Sequence, residues 1–345
     1  MYKCTTRYEP IGQDKIGVLV TNLGTPDSPT KSGLKIYLKE FLSDTRVVEP
    51  PPARWIWKMI LNFIILNFRP KKSAQAYETV WGTFGTGSPL FDISKQQEES
   101  LQIQFDKIHP GKYQVELGMR YGNPSIKSAL RILEKAECDK IIVLPLYPQY
   151  ASATTGSTFD AVADEIKTWR RVPEMRFVNH YFNDERYISA LANSVKDFQK
   201  ESEKPDLLLM SYHGIPRRYF NNGDSYPCHC CQTTYLLAKK LEMEPDTYKM
   251  TYQSRFGREE WMKDYTDETL KGLPDKGVKN IQVICPGFSA DCLETIEEIE
   301  EENKEYFMQA GGEKYQYIPA LNNRQDHIDC LYGIVEDKTQ DWLKH

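Results

Sequence analysis

The sequence predicts an α/β protein with two similar doubly wound domains, each built on a four-stranded parallel sheet that helices flank. Three observations support this prediction. The chain has 345 residues, the length of about two domains. Eight short apolar runs lie along the chain, four within residues 16–180 and four within residues 206–318. The segments between the runs are long enough for helices, and this alternation is typical of parallel sheets.

Each apolar run is bounded by polar or turn-forming residues, as buried strands are. The predicted strands are 16–23, 114–119, 140–146, 175–180, 206–212, 249–252, 280–285 and 315–318. Parallel α/β sheets bind ligands in the crevice beyond the carboxyl ends of their strands. We therefore expect the functional residues directly after these runs.

The segments between the strands include several with helical periodicity. The clearest are 30–42, 88–108, 124–138, 185–200 and 233–241. Another helix is predicted after the seventh strand, with Ser289 or Asp291 as its N-cap. The last helical segment, 325–343, is expected to pack back on the first domain. This divides the chain into a first domain of residues 14–178 with the C-terminal helix 320–345, and a second domain of residues 179–319.

Composition excludes several classes of protein. The chain is 40% hydrophobic and 27% charged, which is too balanced for a disordered protein. Its net charge of −5 argues against a general nucleic-acid binder, which needs a basic face. The first fifteen residues are polar, so no secretory signal is expected. The eight cysteines are therefore interpreted as reduced thiols of a cytoplasmic protein.

The most hydrophobic stretch is residues 55–68, which Lys58 and two asparagines interrupt. A spanning helix needs about 20 apolar residues, so this stretch is too short to cross a bilayer. The proline run 50–52 is predicted to stop any preceding helix, and residues 69–72 to end this one. Two interpretations remain: a buried or half-buried helix, or an exposed apolar lip that meets a greasy ligand or a membrane surface.

His213 lies at the carboxyl end of the fifth predicted strand and is followed by Gly214 and Pro216, which force a turn. Its imidazole can accept a proton at neutral pH or bind a borderline metal through nitrogen. The alternative is a histidine that only caps the strand through hydrogen bonds. Its place at the edge of the sheet makes His213 a candidate catalytic residue.

The helix after the seventh strand is very acidic. Residues 291–305 contain eight acids and one lysine, a net charge of −7 within a chain whose total is −5. Glu294, Glu298 and Glu302 are spaced four residues apart and are expected along one helix face, where like charges repel. A bound cation or proton sharing would relieve this repulsion, and the alternative is a solvated acidic face. Glu294 lies nearest the strand and is the best candidate to face a cleft.

Other signals are weaker. The glycine-rich segment 82–88 matches neither the dinucleotide-binding nor the phosphate-loop pattern, so no nucleotide site is predicted. Residues 228–231, Cys-His-Cys-Cys, lack the second pair that a structural zinc site needs and are interpreted as incidental thiols, with a soluble metal-binding module as the alternative. Arg120, Tyr121 and Tyr147 follow the second and third strands, either as crevice residues or as ordinary rim residues.

A set of motifs runs in order through nearly the whole chain. The most specific is SYHGIPRRYFNNGDSYP at 211–227. The others are TNLGTPDSP, GSPL, MRYGNPS, LPLYPQYASATTGS, TYQSRFG and CPGFSADCLETIEE, starting at 21, 87, 119, 144, 251 and 285. Together they resemble the ferrochelatase family, whose members insert ferrous iron into protoporphyrin IX. The likeness is greatest to the cytoplasmic enzymes of Gram-negative bacteria.

The resemblance implies two Rossmann-like domains of the class II chelatase type, with a porphyrin cleft between them. It also implies a lyase that makes protohaem with release of two protons, the last step of haem biosynthesis. His213 matches the family's histidine and Glu294 its paired glutamate, the implied iron ligands and acceptors of the pyrrole protons. Glu298 and Glu302 match an acidic metal or proton path. The positions matched to the macrocycle, its propionates and the lip are Leu23, Arg69, Arg120, Tyr121, Tyr147, Trp261, Phe288 and residues 50–72.

Two departures from the family pattern limit what the resemblance implies. Cys292 stands where many relatives carry a second histidine, which argues against an iron site with three ligands. Ser152 replaces a cysteine of the animal [2Fe–2S] pattern, and the C-terminal tail has only Cys330. No [2Fe–2S] cluster and no tightly bound cofactor are therefore expected, and Fe²⁺ is expected as a substrate.

The expected partners are protoporphyrin IX and ferrous iron, without nucleic acid. We also expect peripheral membrane contact through residues 55–68, a monomeric state and a cytoplasmic location. A peripheral location at the inner membrane is a variant of this expectation. Two alternatives are kept: a chelatase for another tetrapyrrole or metal, and a non-catalytic haem or porphyrin carrier on the same scaffold.

Overall fold

The computed structural model describes residues 15–49, 54–257 and 259–343, and its framework is two parallel sheets of four strands. The first sheet has the order β2-β1-β3-β4, with β1 at Ile16–Gly24, β2 at Tyr113–Tyr121, β3 at Lys140–Pro145 and β4 at Glu174–Phe177. The second has the order β6-β5-β7-β8, with β5 at Leu207–His213, β6 at Tyr248–Gln253, β7 at Asn280–Ile284 and β8 at Lys314–Ile318. The predicted fold class and all eight predicted strands are confirmed.

Helices connect the strands. The α-helices are α1 Lys31–Ser43, α2 Arg54–Ile60, α3 Leu66–Val80, α4 Pro89–Ile108, α5 Ile126–Lys135, α6 Ser157–Ile166, α7 Glu185–Lys200, α8 Arg217–Asn221, α9 Tyr226–Lys240, α10 Thr266–Gly272, α11 Asn303–Gln309 and α12 Gln325–Thr339. Within the described part of the chain, three segments have π-helical geometry: Leu61–Ile65, Ser152–Gly156 and Glu294–Glu302. A short 3₁₀ turn, Gln340–Leu343, continues α12.

The predicted helices are present, with shifts at their ends. Segment 185–200 coincides with α7, and α1 and α4 begin directly after Thr30 and Ser88, whose hydroxyls accept backbone N–H groups of the first turn. The prediction for 124–138 is too long at both ends, because Ser125 caps α5 after the turn. The prediction for 233–241 begins too late, since Pro227 fits the first turn of α9, where no N–H is needed.

Alternating side chains of each sheet point to opposite faces, as strand geometry requires. Val18 and Val20 of β1 enter a large core that also contains Met210 of β5 and Ile284 of β7. Leu19 enters a separate core beneath α5 and α6. The large core therefore joins the two sheets into one body.

The C-terminal helix packs against both halves of the chain. On the side of the first sheet, the Tyr113 hydroxyl lies 2.7 Å from the Thr339 hydroxyl. On the other side, the Arg186 guanidinium is 2.8 Å from the Asp337 carboxylate. Residues 344 and 345, which the predicted C-terminal helix included, lie outside the described residues. The predicted domain boundaries stay a prediction.

The apolar stretch 55–68 is helical, with one buried edge and a wide exposed face. Leu61 and Leu66 are buried, and the Trp57 indole N–H donates to the carbonyl of Leu42 at 2.9 Å. Phe63 and Phe68 are 70% and 76% exposed. The stretch is therefore a half-buried helix with an exposed apolar side, and contact of that side with a ligand or a membrane stays a prediction. Within the described residues, no helix is long and apolar enough to cross a bilayer.

The predicted end of this helix at residues 69–72 is wrong. Helix α3 continues through a buried Pro70 as far as Val80. A proline removes one backbone hydrogen bond, but the packing of Leu66, Ala74 and Tyr77 against the first domain outweighs that loss. The proline run 50–52, predicted to precede the helix, lies outside the described residues.

Candidate active site

His213 is the last residue of β5, as predicted, and is partly buried. Its Nδ1 lies 2.7 Å from the carbonyl oxygen of Gly214. A carbonyl only accepts, so Nδ1 of the neutral ring carries the proton and Nε2 keeps a free lone pair. The histidine thus caps the strand edge and still presents a basic nitrogen, which combines the two interpretations made from the sequence.

Gly214 makes room for the turn after His213. A Cβ atom there would lie 3.0 Å from the carbonyl oxygen of Gln253 and 3.1 Å from the Trp261 ring. The backbone of Trp261 forms an isolated antiparallel β-bridge with Pro216, and the ring centre of Trp261 is 6.5 Å from that of His213. A side chain at position 214 would therefore push the Trp261 ring away from the histidine.

The acidic helix after β7 is not an α-helix. Glu294–Glu302 has π geometry, with hydrogen bonds that span five residues, and α11 follows it. The α-helical spacing assumed for Glu294, Glu298 and Glu302 is therefore wrong in detail, although the three lie on successive turns. Turns of π-helix are rare in proteins overall, and those that occur frequently lie at functional sites.

The predicted N-cap of this helix is also wrong. Leu293 precedes the π-helix and makes no side-chain cap. Asp291 is buried, and its carboxylate accepts hydrogen bonds from Tyr317 at 2.7 Å, Thr295 at 2.9 Å and Asn322 at 2.6 Å. The hydrogen bonds to Tyr317 and Asn322 hold the start of the helix against β8 and the loop after it, which fixes the position of Glu294.

Glu294 lies where the two domains meet. Leu293, directly before it, packs with Tyr37 and Tyr77 of the first domain. Burial raises the pKa values of both tyrosines, and the charge of Glu294 raises them further. Burial lowers the pKa of Arg69, an effect that the Glu294 charge opposes. The carboxylate therefore faces two phenols and a guanidinium from the opposite domain.

Cys292 contacts the same carboxylate. The residue is 4% exposed, and burial followed by the Glu294 charge raises the pKa of its thiol. The group at this position is therefore a neutral thiol. Within the described residues, no cluster of three histidine, cysteine or acidic side chains is placed to hold a metal ion.

Glu298 and Glu302 continue from Glu294 towards a polar cavity of about 210 Å³. The Glu298 carboxylate accepts the backbone N–H of Ser254 at 2.8 Å and also its hydroxyl. Burial, together with the charge of Glu294, raises the pKa of Glu298 to about 7. Glu302 lies farther out and accepts a hydrogen bond from the Tyr306 hydroxyl.

A row of rings leads from the lip to His213. The Arg69 guanidinium lies 5.5 Å from the ring centre of Phe256, which is 5.2 Å from that of Trp261. Leu23 packs in the first domain and Phe288 in the second, both partly buried. Leu23 packs in the same cluster as Leu293, and Arg69 of the first domain reaches Phe256 beside Trp261 in the second, so these three matched positions lie near the contact between the domains.

Tyr147 and Trp261 share a further property. Among the described residues, the Tyr147 hydroxyl and the Trp261 indole nitrogen are buried without a hydrogen-bond partner in the protein. Buried polar atoms normally have hydrogen-bond partners, so these two groups are available to form hydrogen bonds with a bound molecule.

Arg120 and Tyr121 are placed differently from the expectation. The Arg120 guanidinium lies 2.5 Å from the Asp44 carboxylate and also bonds Ser157. The Tyr121 hydroxyl donates to Asp44 at 2.9 Å, and Tyr121 is fully buried. Both side chains therefore already have partners inside the first domain, which leaves neither free to reach a ligand in this conformation.

Comparisons with known proteins show the family to which the chain belongs. A family model described as Ferrochelatase matches residues 15–339. A relative named Ferrochelatase from Hydrogenovibrio crunogenus is 60% identical over 341 residues, 99% of this chain and 90% of its own. A second, from Actinobacillus pleuropneumoniae, is 54% identical over 325 residues, 94% of this chain and 99% of its own. The chain belongs to the ferrochelatase family. The predicted enzyme class, a lyase, and the predicted reaction, Fe²⁺ insertion into protoporphyrin for haem synthesis, are confirmed.

Solved structures agree on the fold. SirB from Bacillus subtilis with Fe³⁺ superposes with a TM-score of 0.55 at 11% identity, covering 96% of this chain and 98% of that one. A sirohydrochlorin chelatase SirB in complex with cobalt, from Bacillus subtilis subspecies spizizenii, gives 0.54 at 10% identity, covering 95% and 96%. At such low identity these likenesses establish the fold alone.

Sequence reasoning missed three neighbours of the acidic residues: Tyr37, Tyr77 and Ser254. The two tyrosines lie on helices of the first domain that are far from Glu294 in the chain. Ser254 was within a matching motif, directly after β6, so the rule of searching beyond strand ends would have found it. No local pattern marked the tyrosines.

Proposed function

We propose that His213 and Glu294 form the inner iron site of this ferrochelatase and accept the protons that the pyrrole nitrogens release. The hydrogen bond from His213 Nδ1 to the Gly214 carbonyl carries the proposal, because it leaves Nε2 free as a base or a ligand. Glu294 supplies the carboxylate from the π-helix. One nitrogen and one oxygen ligand of moderate strength suit an ion that must be passed on.

Metal insertion needs three things from the protein. The macrocycle must bend so that its nitrogen lone pairs face the iron, and binding energy from the rest of the ring supplies that distortion. The pyrrole protons need acceptors, which His213 and Glu294 provide. The ferrous ion must exchange its waters for ligands that it can later leave. The aromatic row from Phe256 through Trp261 to His213 offers a rigid wall against which the ring can bend.

The propionates need cations at the mouth of the cleft. Arg69 suits this role, because it lies at the lip and its guanidinium contacts the Phe256 ring, while no carboxylate within the described residues forms an ion pair with it. Leu23, Tyr147 and Phe288 are proposed as further contacts of the macrocycle. Arg120 and Tyr121 are instead proposed to hold the first domain together through Asp44.

Glu298 and Glu302 are proposed as the path by which protons leave. A carboxyl group whose pKa is about 7 exchanges protons readily near neutral pH, and Glu298 has this property. Its hydrogen bonds to Ser254 hold it between Glu294 and the polar cavity. Glu302 at the outer end then passes protons to solvent.

The exposed face of residues 55–68 is proposed to rest on the membrane surface while porphyrin enters. The supporting observation is the exposure of Trp55, Phe63 and Phe68 next to the basic residues Lys71 and Lys72.

Flotation of the protein with anionic vesicles tests this membrane contact, and the double variant Phe63→Ser, Phe68→Ser should no longer float. A matched control, Ile103→Ser at the 68% exposed Ile103 of α4, should float like wild type. Equal flotation of the double variant would contradict the proposal.

The enzyme is further proposed to be a cytoplasmic monomer that works without a resident cofactor. Ser152 accepts a hydrogen bond from Arg46 at 3.2 Å, and Cys330 is buried within α12. Neither position suits an iron–sulfur ligand. Iron analysis of the protein purified without added metal tests this, and a stoichiometric acid-labile sulfide content would contradict it.

The assignment of the iron site is tested by an anaerobic assay with Fe²⁺ and protoporphyrin IX. Loss of porphyrin fluorescence reports insertion. His213→Ala and Glu294→Gln should each nearly abolish the loss, while circular dichroism shows the fold retained. Near wild-type turnover in both variants would overturn the assignment.

A further inference from the structure

The Cys-His-Cys-Cys segment, residues 228–231, takes no part in the proposed mechanism. It lies in the first two turns of α9, between β5 and β6. Four side chains that can bind soft metals follow one another here, but the structure gives them different surroundings. Two of them are already engaged in the protein and two are not.

His229 and Cys230 are engaged. The Nδ1 atom of His229 accepts the backbone N–H of Tyr150 at 3.2 Å, so its Nε2 carries the proton and offers no lone pair. The same ring stacks on Phe182 at a centroid distance of 3.9 Å. Cys230 is fully buried, and burial raises the pKa of its thiol, which pairs with Tyr226. Neither side chain can bind a metal without breaking these contacts.

Cys228 and Cys231 are both exposed, and neither forms a disulfide. Residues three apart on a helix lie on the same face, with about 5–6 Å between their Cβ atoms. Both positions belong to α9, so the two exposed thiols lie on one side of this helix.

We propose that Cys228 and Cys231 form a surface dithiol site for one two-coordinate thiophilic cation of the Cu(I) class. Thiolates are soft ligands that favour such ions. Within the described residues, no third histidine, cysteine or acidic side chain completes a cluster here, which excludes a closed tetrahedral zinc site. Binding replaces the two thiol protons by the metal and releases them to solvent.

The site is distinct from the iron centre. Cys285 and Cys292, the cysteines nearest the catalytic carboxylates, are buried in the second domain and at the domain contact. The exposed pair is reached directly from solvent, so it binds its cation whether or not the cleft is occupied.

The test is an anaerobic titration of the full-length protein with Cu(I) held by a chromogenic competitor such as bathocuproine disulfonate. Wild-type protein should remove one equivalent of copper from the competitor. Cys228→Ser and Cys231→Ser should each lose that equivalent while keeping their iron-insertion activity. Cys4→Ser and Cys330→Ser are the matched controls and should retain it.

Two results would overturn the proposal. One is equal copper uptake by wild type and by the Cys228→Ser, Cys231→Ser double variant. The other is Zn²⁺ uptake as tight as that of Cu(I), because it would require protein ligands beyond the two thiols. X-ray absorption of the copper-loaded protein gives a second measurement, with two sulfur neighbours expected and additional nitrogen neighbours contradicting the assignment.

Discussion

The guanidinium of Arg120 lies 2.5 Å from the carboxylate of Asp44, and both side chains are largely buried. Asp44 also accepts hydrogen bonds from Tyr121 and Ser157, so a single carboxylate organises the end of β2 and the start of α6. This pair gives the Arg120 side chain, at the end of β2, a partner inside the first domain.

Replacing Arg120 should therefore affect stability more than substrate binding. Arg120→Met leaves Asp44 without its cation, and breaking a buried pair costs about 3–5 kcal/mol. Urea unfolding should show a loss of that order, while the KM for protoporphyrin changes little. Arg69→Met is the control, and it should raise the KM for protoporphyrin while changing the stability little. A large rise in KM with unchanged stability of Arg120→Met would place Arg120 on the propionates instead.

Glu298 should make the enzyme less stable as the pH rises. Its pKa is about 7 in the folded protein and 4.5 for an ordinary glutamate, so between these values the folded state holds the proton more tightly than the unfolded state. Stability is then lost from pH 4.5 to pH 7, by up to about 3 kcal/mol.

Glu298→Gln should remove this contribution, because the amide cannot ionise and still accepts the Ser254 N–H. Thermal unfolding of the two proteins from pH 5 to pH 8 checks it. The variant should gain stability relative to wild type as the pH rises. Parallel curves would show that the Glu298 pKa is not raised.

His327 should have the opposite pH dependence. It is fully buried, its Nδ1 donates to the Asn322 carbonyl at 2.8 Å, and burial lowers its pKa to about 4. The unfolded chain takes up a proton near pH 6.5 and the folded chain only near pH 4, so stability falls as the pH falls through this window. The loss is about 3 kcal/mol at pH 4.

His327→Asn should flatten this acid dependence at the cost of lower stability at pH 7, where the neutral ring fills its site. The difference between wild type and variant should shrink as the pH falls from 7 to 4. A difference that stays constant would show that His327 does not titrate in this range.

The loss of activity on replacing a glutamate of the acidic path should depend on its position along the path. Glu302 is exposed and accepts a hydrogen bond from the Tyr306 hydroxyl, whereas Glu294 faces the domain contact. We expect Glu302→Gln to lower kcat by much less than Glu294→Gln in the same anaerobic assay. Equal losses in the two variants would contradict the ordering of the path.

The sequence predicted the framework because the strands of parallel sheets are continuous apolar runs. His213 and Glu294 were predicted as site residues for a related reason, since both follow such runs. The π geometry of Glu294–Glu302 could not be predicted, because its hydrogen bonds to a residue five positions away leave no distinct amphipathic pattern. The exposed and buried sides of residues 55–68 likewise needed the packing of Leu61 and Leu66 to be known.

Tertiary contacts decided the rest of the site. Asp44 and Arg120 are 76 positions apart, so the pairing that removes Arg120 from the crevice has no local signal. Tyr37 and Tyr77 reach Glu294 only because Leu293 packs into the first domain. The predicted N-cap role of Asp291 failed because its carboxylate binds partners from β8 and the following loop instead.

The free Nε2 of His213 is proposed to act as the base or ligand during metal insertion. Chemical rescue tests it most directly. His213→Ala should bind protoporphyrin but insert Fe²⁺ about 10²–10⁴ times more slowly, the usual contribution of a positioned base. Added imidazole should restore part of the rate to this variant and none to Glu294→Gln. Wild-type turnover by His213→Ala without imidazole would contradict the account.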